Sequence, residues 1–156
     1  MPQSLAKVLV HIVYSTKARR PWLRDEEIRK QLYAYKATIL RENVDTPALI
    51  IDGVEDHIHA LCLLSRKFAI KNVIEEAKTE TTKWLKKQGP KYADFHWQSG
   101  YGIFSVSESN AHQVKQYIAD PAKHHKKMRF FTEFSGLLGR ASRQVFHSRR
   151  EFAGGN

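Results

Sequence analysis

Two histidines that stand one residue apart are the residues of this chain best suited to metal chemistry. His57 and His59 open an apolar run that is typical of a strand, Asp56-His57-Ile58-His59-Ala60-Leu61-Cys62. Because side chains alternate between the two faces of a strand, both imidazoles project to the same side, close enough to share a cation. The pair therefore predicts a metal site. Without further motifs, two ordinary strand histidines are the alternative interpretation.

A tyrosine downstream supplies a candidate nucleophile. Tyr117 lies on a predicted amphipathic helix that runs into His124 and His125, so a phenol and further ligands could converge on the same metal. A phenol has an ordinary pKa of about 10, so a base or a nearby cation must help it to attack phosphorus at neutral pH. A cation held by the histidine pair would polarise a scissile phosphate and stabilise the departing oxygen. In a basic chain, these features indicate cutting and rejoining of nucleic acid.

The composition favours a polyanionic partner. The 156 residues contain 26 Lys and Arg against 16 Asp and Glu, a formal net charge of +10. Such a charge steers anions and gains from counterion release, although an enzyme for small phosphorylated substrates would fit it too. Cys62 is the only cysteine, so no intrachain disulfide can form, and no apolar run approaches the roughly 20 residues that span a bilayer. We expect a cytoplasmic location and no membrane partner.

Basic and aromatic side chains provide candidate contacts to nucleic acid. The basic candidates for backbone contacts are Lys17, Arg19, Arg20, Lys83, Lys126 and Lys127. Solvated surface residues are the alternative interpretation for them, because phosphate contacts are not specific to any base. Trp97 and Tyr101 could stack on bases or pack in a core or a dimer interface. Trp84 and the isolated His11 are expected to be packing residues.

Strand and helix periods alternate along the chain with short connections. The expected strands are Leu5–Tyr14, Ala48–Asp52, His57–Leu64 and Phe95–Val106, the last bent or bulged around Gly100 and Gly102. The expected helices are Asp25–Asn43, Ile70–Lys87 and one capped by Ser107 or Ser109 that ends or kinks before Pro121. This order predicts an α+β, ferredoxin-like (RRM-like) sandwich, an antiparallel sheet with helices packed on one face. We expect one domain over residues 1–137 and a basic tail over 138–156.

Four segments together resemble a known family. They are DHIHALCLL, the loop STKARRP after the first strand, FHWQSGYGIFSVS, and VKQYIADPAKHHKKMRFFTEF. In this order and at this spacing, from His11 to Phe134, the chain is similar to the single-tyrosine, IS200-like transposases of small bacterial insertion sequences and their repeat-associated relatives. These proteins form part of the HUH superfamily, named for two histidines that flank a bulky apolar residue.

The resemblance implies an activity and a set of roles. It implies a homodimer that binds DNA hairpins at the ends of an element and cuts single-stranded DNA in the presence of Mg²⁺ or Mn²⁺. Tyr117 would be the catalytic nucleophile, forming a 5′-phosphotyrosine link and leaving a free 3′-hydroxyl, and His57 and His59 would hold the metal. In several relatives, the tyrosine helix of one subunit completes the active site of the other.

One position departs from the family pattern. Relatives carry a glutamine four residues after the tyrosine as the third metal ligand, and this chain has Pro121 there. Proline offers no side-chain ligand atom. Asp120, with an oxygen that hard cations favour, and His124 are the candidate replacements. If neither reaches the site, two imidazoles and water would bind a metal weakly.

Two other classes of function stay open. One is a catalytically impaired or domesticated relative that binds DNA hairpins as a dimer without cutting them. The other is a non-catalytic module for single-stranded RNA, because ferredoxin-like sheets commonly stack bases on aromatic side chains. A protein–DNA adduct that resists denaturation and requires Tyr117 would separate the enzyme from both.

Overall fold

The structure is a computed structural model that describes residues 4–120. The described strands and helices are β1 (Leu9–Ser15), α1 (Glu26–Val44), β2 (Ala48–Gly53), β3 (His57–Leu63), α2 (Ile70–Lys86), β4 (Gly102–Val106) and α3 (Ala111–Ala119). They belong to one compact unit, Met1–Pro121. The predicted domain boundary between residues 137 and 138 lies outside the described residues. None of the described helices is long and apolar enough to cross a membrane.

The strands form one antiparallel sheet in the order β2-β3-β1-β4. The connections through α1 and α2 each join strands that run parallel to one another, separated by one antiparallel strand. This is the split β-α-β plan, so the predicted α+β, ferredoxin-like fold is confirmed. The histidine strand β3 lies inside the sheet, where β1 pairs with it so that Val13 faces His59 and Ser15 faces His57.

The hydrophobic core lies between one face of the sheet and the two long helices. On the sheet side it contains Ile12, Ile58 and Ala60, and the helices contribute residues such as Leu32 on α1 and Val73 on α2. Each fully buried Val, Leu or Ile side chain contributes about 1.5–3 kcal/mol relative to exposure. The even-numbered residues of β3 therefore anchor the strand, and its odd-numbered histidines are directed to the other face.

The third helix, α3, packs against the face of the sheet that carries the histidines. Its Ile118 is fully buried but lies outside the core cluster beneath α1 and α2. Its Tyr117 ring lies beside the rings of His11 and His59. The two long helices thus share a face as predicted, and the short helix that carries the candidate nucleophile covers part of the opposite one.

Helix α1 begins where its sequence predicts. The Asp25 side chain accepts hydrogen bonds from the backbone N–H groups of Glu27 and Ile28, the expected contacts of an N-terminal cap. At the other end, Asp45 adopts a left-handed conformation with φ of 46° and stops the helix.

Three details of the predicted elements were wrong. Strand β1 begins at Leu9 because the chain before it is exposed, with Leu5 fully so. Strand β4 begins only at Gly102, because Phe95 and Trp97 turn into the core and Gly100, at φ +89°, redirects the chain. No side chain caps the start of α3; the hydroxyls of Ser107 and Ser109 lie 3.1 Å from each other instead.

Candidate active site

A tight turn between β2 and β3 delivers the histidine strand. The backbone N–H of Val54 donates to the carbonyl oxygen of His57 at 3.0 Å. A Cβ atom on Gly53 would lie 2.3 Å from the same oxygen, so any larger residue would force the backbones apart. The close approach of the two strands therefore requires glycine at this position, and it fixes the backbone of His57.

The imidazole of His57 is buried and is held by an aspartate. Its Nδ1 lies 2.7 Å from Oδ1 of Asp56, and the other carboxylate oxygen lies 3.7 Å from Nε of Arg19. When Nδ1 carries the proton and donates it to Asp56, the lone pair for a cation is on Nε2. A carboxylate that accepts a hydrogen bond from Nδ1 of a histidine commonly orients that histidine as a metal ligand.

The imidazole of His59 lies beside that of His57, with ring centroids 5.1 Å apart. Its Nδ1 is 2.9 Å from Nε2 of His11, and these two rings are stacked. His11 packs against the rings of Phe104 and Tyr117, as expected, and it also contacts a candidate metal ligand, which its sequence position did not indicate. The contact between His11 and His59 can be inferred only from the register of β1 against β3. In that register Val13 is the partner of His59, and His11 lies two residues from Val13 on the same face of β1.

Helix α3 brings Tyr117 to the histidines of the same chain. The Tyr117 ring centroid lies 5.7 Å from that of His59 and 6.2 Å from that of His11. Burial raises the pKa of the Tyr117 phenol above its ordinary value, because the phenolate loses solvation. The phenol is thus a neutral hydroxyl at physiological pH, and its attack on phosphorus requires help from a charge or a base.

The candidates for a third metal ligand are Asp120 and His124. Within residues 4–120, no three His, Cys, Asp or Glu side chains form a group that could hold a metal ion. Asp120 follows the last turn of α3, where its backbone N–H donates to the Tyr117 carbonyl at 3.4 Å. Its role as a ligand stays a prediction. Pro121, His124 and His125 lie outside the described residues.

The basic loop after β1 lies at the His57 end of the sheet. The N–H of Thr16 donates to the carbonyl of Asp56, and its hydroxyl bonds to the carbonyl of Arg20 at 2.7 Å. Ala18 and Arg19 both have positive φ, and the Gln98 side chain accepts the N–H of Ala18 at 3.0 Å. A strained backbone held by side chains from elsewhere is common at functional sites.

The predicted DNA contacts divide into three groups. Lys17 and Arg20 are exposed in the loop beside the histidine pair, whereas Arg19 points its guanidinium towards Asp56. Lys83 lies on α2, across the sheet from the histidines, and pairs with Glu80 at 3.3 Å. Lys126 and Lys127 lie outside the described residues.

The two candidate stacking aromatics differ in exposure. Trp97 is buried, donates its indole N–H to the Thr81 hydroxyl at 3.1 Å and packs edge-on against Tyr14. It is a core residue. Tyr101 is 40% exposed, and its role as a stacking surface for a base stays a prediction. Trp84 stacks on Tyr35 between α1 and α2, in agreement with its predicted packing role.

The family comparison agrees with this arrangement of histidines and tyrosine. Residues 4–121 match the family model described as "Transposase IS200 like". The chain belongs to the IS200-like transposase family. The match covers all the described strands and helices, including the histidine strand and α3, so the resemblance inferred from the four segments is confirmed.

Two solved structures resemble this IS200-like transposase. One is a protein described as a candidate transposase from Deinococcus radiodurans R1, at 18% identity and a TM-score of 0.59, over 76% of this chain and 94% of that one. The other is a REP-associated tyrosine transposase bound to a REP hairpin, at 12% identity and a TM-score of 0.51, over 76% and 67% of the two chains. At these identities the likeness establishes the fold alone. A comparison with curated proteins gives no match.

Proposed function

We propose that this transposase cuts and rejoins single-stranded DNA through Tyr117, with a divalent cation held by His57 and His59. The observation that carries the proposal is the placement of the Tyr117 ring 5.7 Å from the His59 ring within one chain. Two strand histidines, each held through Nδ1, and a phenol on a helix that covers them are the parts that such a reaction needs.

The donor set fits a divalent cation. Asp56 and His11 each lie within hydrogen-bond distance of Nδ1 of one histidine, so the ligand atom of each ring would be Nε2. Such nitrogen donors are better suited to Mn²⁺ than to Mg²⁺, which prefers oxygen ligands. When bound, the cation would supply positive charge to the scissile phosphate and to the departing 3′-oxygen.

The residues of the chain account for the remaining steps. Tyr117 Oη would attack phosphorus in line with the P–O3′ bond, so that an Oη–P bond forms while the 3′-oxygen leaves and takes up a proton. The phenolic proton passes to solvent. The new phosphodiester link to tyrosine keeps the bond energy, so a 3′-hydroxyl from another strand can reverse the step without ATP.

DNA hairpins are the proposed partner and a homodimer the proposed assembly. The net charge of +10 and the exposed Lys17 and Arg20 beside the histidine pair favour a polyanion at this end of the sheet. The repeat-associated relative has a hairpin bound to it. The approach of Tyr117 to His59 within one chain supports a tyrosine that acts at the histidine pair of its own subunit.

A covalent adduct tests the proposal. The full-length protein is incubated with hairpin-bearing single-stranded oligonucleotides, labelled at the 3′ end because the downstream fragment stays on the tyrosine, and with Mn²⁺, and is then separated on a denaturing gel. We expect a labelled protein band in the parent protein. Its intensity should fall at least about 100-fold in Tyr117→Phe, and the band should also disappear when a chelator removes the metal. The matched control is Tyr101→Phe, which removes an exposed phenol and should leave the band unchanged.

The same assay separates the other functions. Within residues 4–120 the histidine pair does not form part of a group of three His, Cys, Asp or Glu side chains that could hold a metal, and this favours a relative that binds hairpins without cutting as the second candidate. That protein would retard the hairpin on a native gel and give no adduct under any metal. Tighter binding of RNA than of DNA of the same sequence would instead favour the RNA-binding module.

A further inference from the structure

We infer that His11 is a positioning residue for the candidate metal ligand His59, which it holds in the tautomer that can bind a cation. The inference rests on the proposed function and deepens it. Nothing in the resemblance gave His11 a role, and its sequence position, 48 residues before His59, gives no sign of the contact.

The contact has the geometry of a hydrogen bond between two rings. Nε2 of His11 and Nδ1 of His59 are 2.9 Å apart, and the rings are stacked with an angle of 28° between their planes. A hydrogen bond between two imidazole nitrogens needs one proton, so one nitrogen donates and the other accepts. The bond therefore admits two arrangements with different consequences for a metal.

Only one arrangement leaves His59 able to bind a cation through Nε2. If His59 donates from Nδ1, the lone pair of its neutral ring is on Nε2. If His11 donates instead, the neutral His59 ring carries its proton on Nε2, where a cation would have to bind. We therefore assign Nδ1–H to His59 and the accepting Nε2 to His11, whose own proton is then on Nδ1.

The backbone fixes the partner in place. His11 lies inside β1, which is paired on both sides, with Leu61 of β3 opposite it on one side and Phe104 of β4 on the other. The His11 ring also lies 6.2 Å from that of Tyr117, so it lies beside both the ligand and the nucleophile. A side chain on the central strands can hold a neighbouring ring more rigidly than a loop residue can.

The other histidine supports this reading. His57 is held through the same ring nitrogen, Nδ1, by the carboxylate of Asp56 at 2.7 Å. When each of the two imidazoles donates from Nδ1 to its own partner, Nε2 is the ligand atom of both rings. Partners of this kind typically change metal affinity by about 10–100-fold when they are removed.

The first test compares metal affinities of the full-length protein in the absence of DNA. Free Mn²⁺ is measured by electron paramagnetic resonance during titration. We expect His11→Phe, which keeps an aromatic ring but accepts no hydrogen bond, to weaken Mn²⁺ binding about 10-fold or more. His11→Gln, whose amide oxygen can accept from Nδ1–H, should recover most of that loss. His112→Phe, which removes an exposed histidine on α3, is the control and should bind as the parent does.

The second test needs no substitution at His11. Nitrogen-15 spectra of histidine-labelled protein report which ring nitrogen carries the proton, with His59 assigned through His59→Gln. We expect His59 protonated on Nδ1 and His11 protonated on Nδ1. Proton on Nε2 of His59, equal Mn²⁺ affinity in His11→Phe, or no Mn²⁺ binding by the parent protein would each overturn the inference.

The outcomes distinguish this inference from the proposed function. Loss of Mn²⁺ affinity in His11→Phe without any DNA adduct in the parent protein would support the role of His11 and contradict strand transfer. A DNA adduct in the parent protein, with Mn²⁺ affinity unchanged in His11→Phe, would support strand transfer and refute the positioning role.

Discussion

Asp56 contacts two functional side chains at once. One carboxylate oxygen lies 2.7 Å from Nδ1 of His57, and the other lies 3.7 Å from Nε of Arg19. The guanidinium of Arg19 therefore neutralises part of the charge that orients the candidate metal ligand. Arg19 was predicted as a DNA contact, and its position also links it to the candidate metal ligand His57 through Asp56.

Replacing Asp56 tests the hold on His57. In Asp56→Asn the partner of Nδ1–H loses its charge, so we expect the Mn²⁺ concentration for half-maximal adduct formation to rise about 10-fold. Adduct yield should recover at saturating Mn²⁺, because Tyr117 is not altered. The measurement is adduct yield against Mn²⁺ concentration, with the exposed Asp94→Asn as control. An unchanged Mn²⁺ midpoint would show that Asp56 does not support the metal site.

The residues of the site differ in how far sequence alone could find them. His57 and His59 lie in one strand, where alternation of side chains is a local rule, and their shared face was predicted. The contact of His11 with His59 depends on the pairing of β1 with β3, which no local pattern specifies. Tyr117 was a candidate nucleophile from its place on a predicted helix and from the family resemblance, but its position beside the histidines depends on the packing of α3.

Among the elements, those with local signals were predicted well. The acidic cap at Asp25 and the helical stripe behind it placed α1 within one residue of its observed ends. The start of β4 was wrong by seven residues, Phe95 against Gly102. Phe95 and Trp97 have the β-forming character of strand residues, but both are buried in the core, and the segment meets the sheet there through an isolated bridge of Trp97 to Thr16 instead of a continuous strand. Tertiary packing overrode local propensity there.

Helix α3 is the element on which the chemistry depends most. It has nine residues, which is too short for a stable isolated helix, so its packing on β2 and β3 must hold it. Ile118, fully buried, is the anchor next to Tyr117. The position of the candidate nucleophile relative to β3 is thus a property of tertiary packing.

At the scale of the whole molecule, a buried lysine works against stability. Lys36 on α1 is 1% exposed, and its Nζ lies 4.2 Å from the centre of the Tyr14 ring. Burial lowers its pKa from 10.5 to about 7, with smaller effects from Cys62, which raises it, and Lys78, which lowers it. Among the described residues its Nζ has no hydrogen-bond partner. Binding a proton here therefore costs the folded state free energy.

The sign of the resulting pH dependence follows from proton binding. Between pH 7 and 10.5 the unfolded chain binds a proton at Lys36 that the folded chain releases. The free energy of unfolding therefore rises with pH across this window, and the cost of Lys36 is largest below it. We expect Lys36→Met, which keeps the volume and removes the charge, to be more stable by about 2 kcal/mol or more at neutral pH.

Urea denaturation at three pH values measures this effect. The stability gap between Lys36→Met and the parent protein should narrow from about pH 6.5 to about pH 9.5. Lys30→Met, which removes an exposed lysine from the same helix, should show no gap that depends on pH. Two results would contradict a destabilising buried charge at Lys36. One is a stability difference between Lys36→Met and the parent protein that does not change with pH, and the other is a Lys36→Met variant that is less stable than the parent protein at neutral pH.

The central claim is that the paired imidazoles and the Tyr117 phenol surround one ion, and paramagnetic relaxation measures it directly. Protein labelled with fluorotyrosine is titrated with Mn²⁺, and the fluorine signals are assigned through Tyr117→Phe and Tyr101→Phe. We predict that the Tyr117 signal broadens most strongly and at the lowest Mn²⁺ concentration, and that the broadening is lost in the double variant His57→Ala, His59→Ala. A Tyr117 signal that stays sharp while Mn²⁺ binds to the histidine pair would contradict the account.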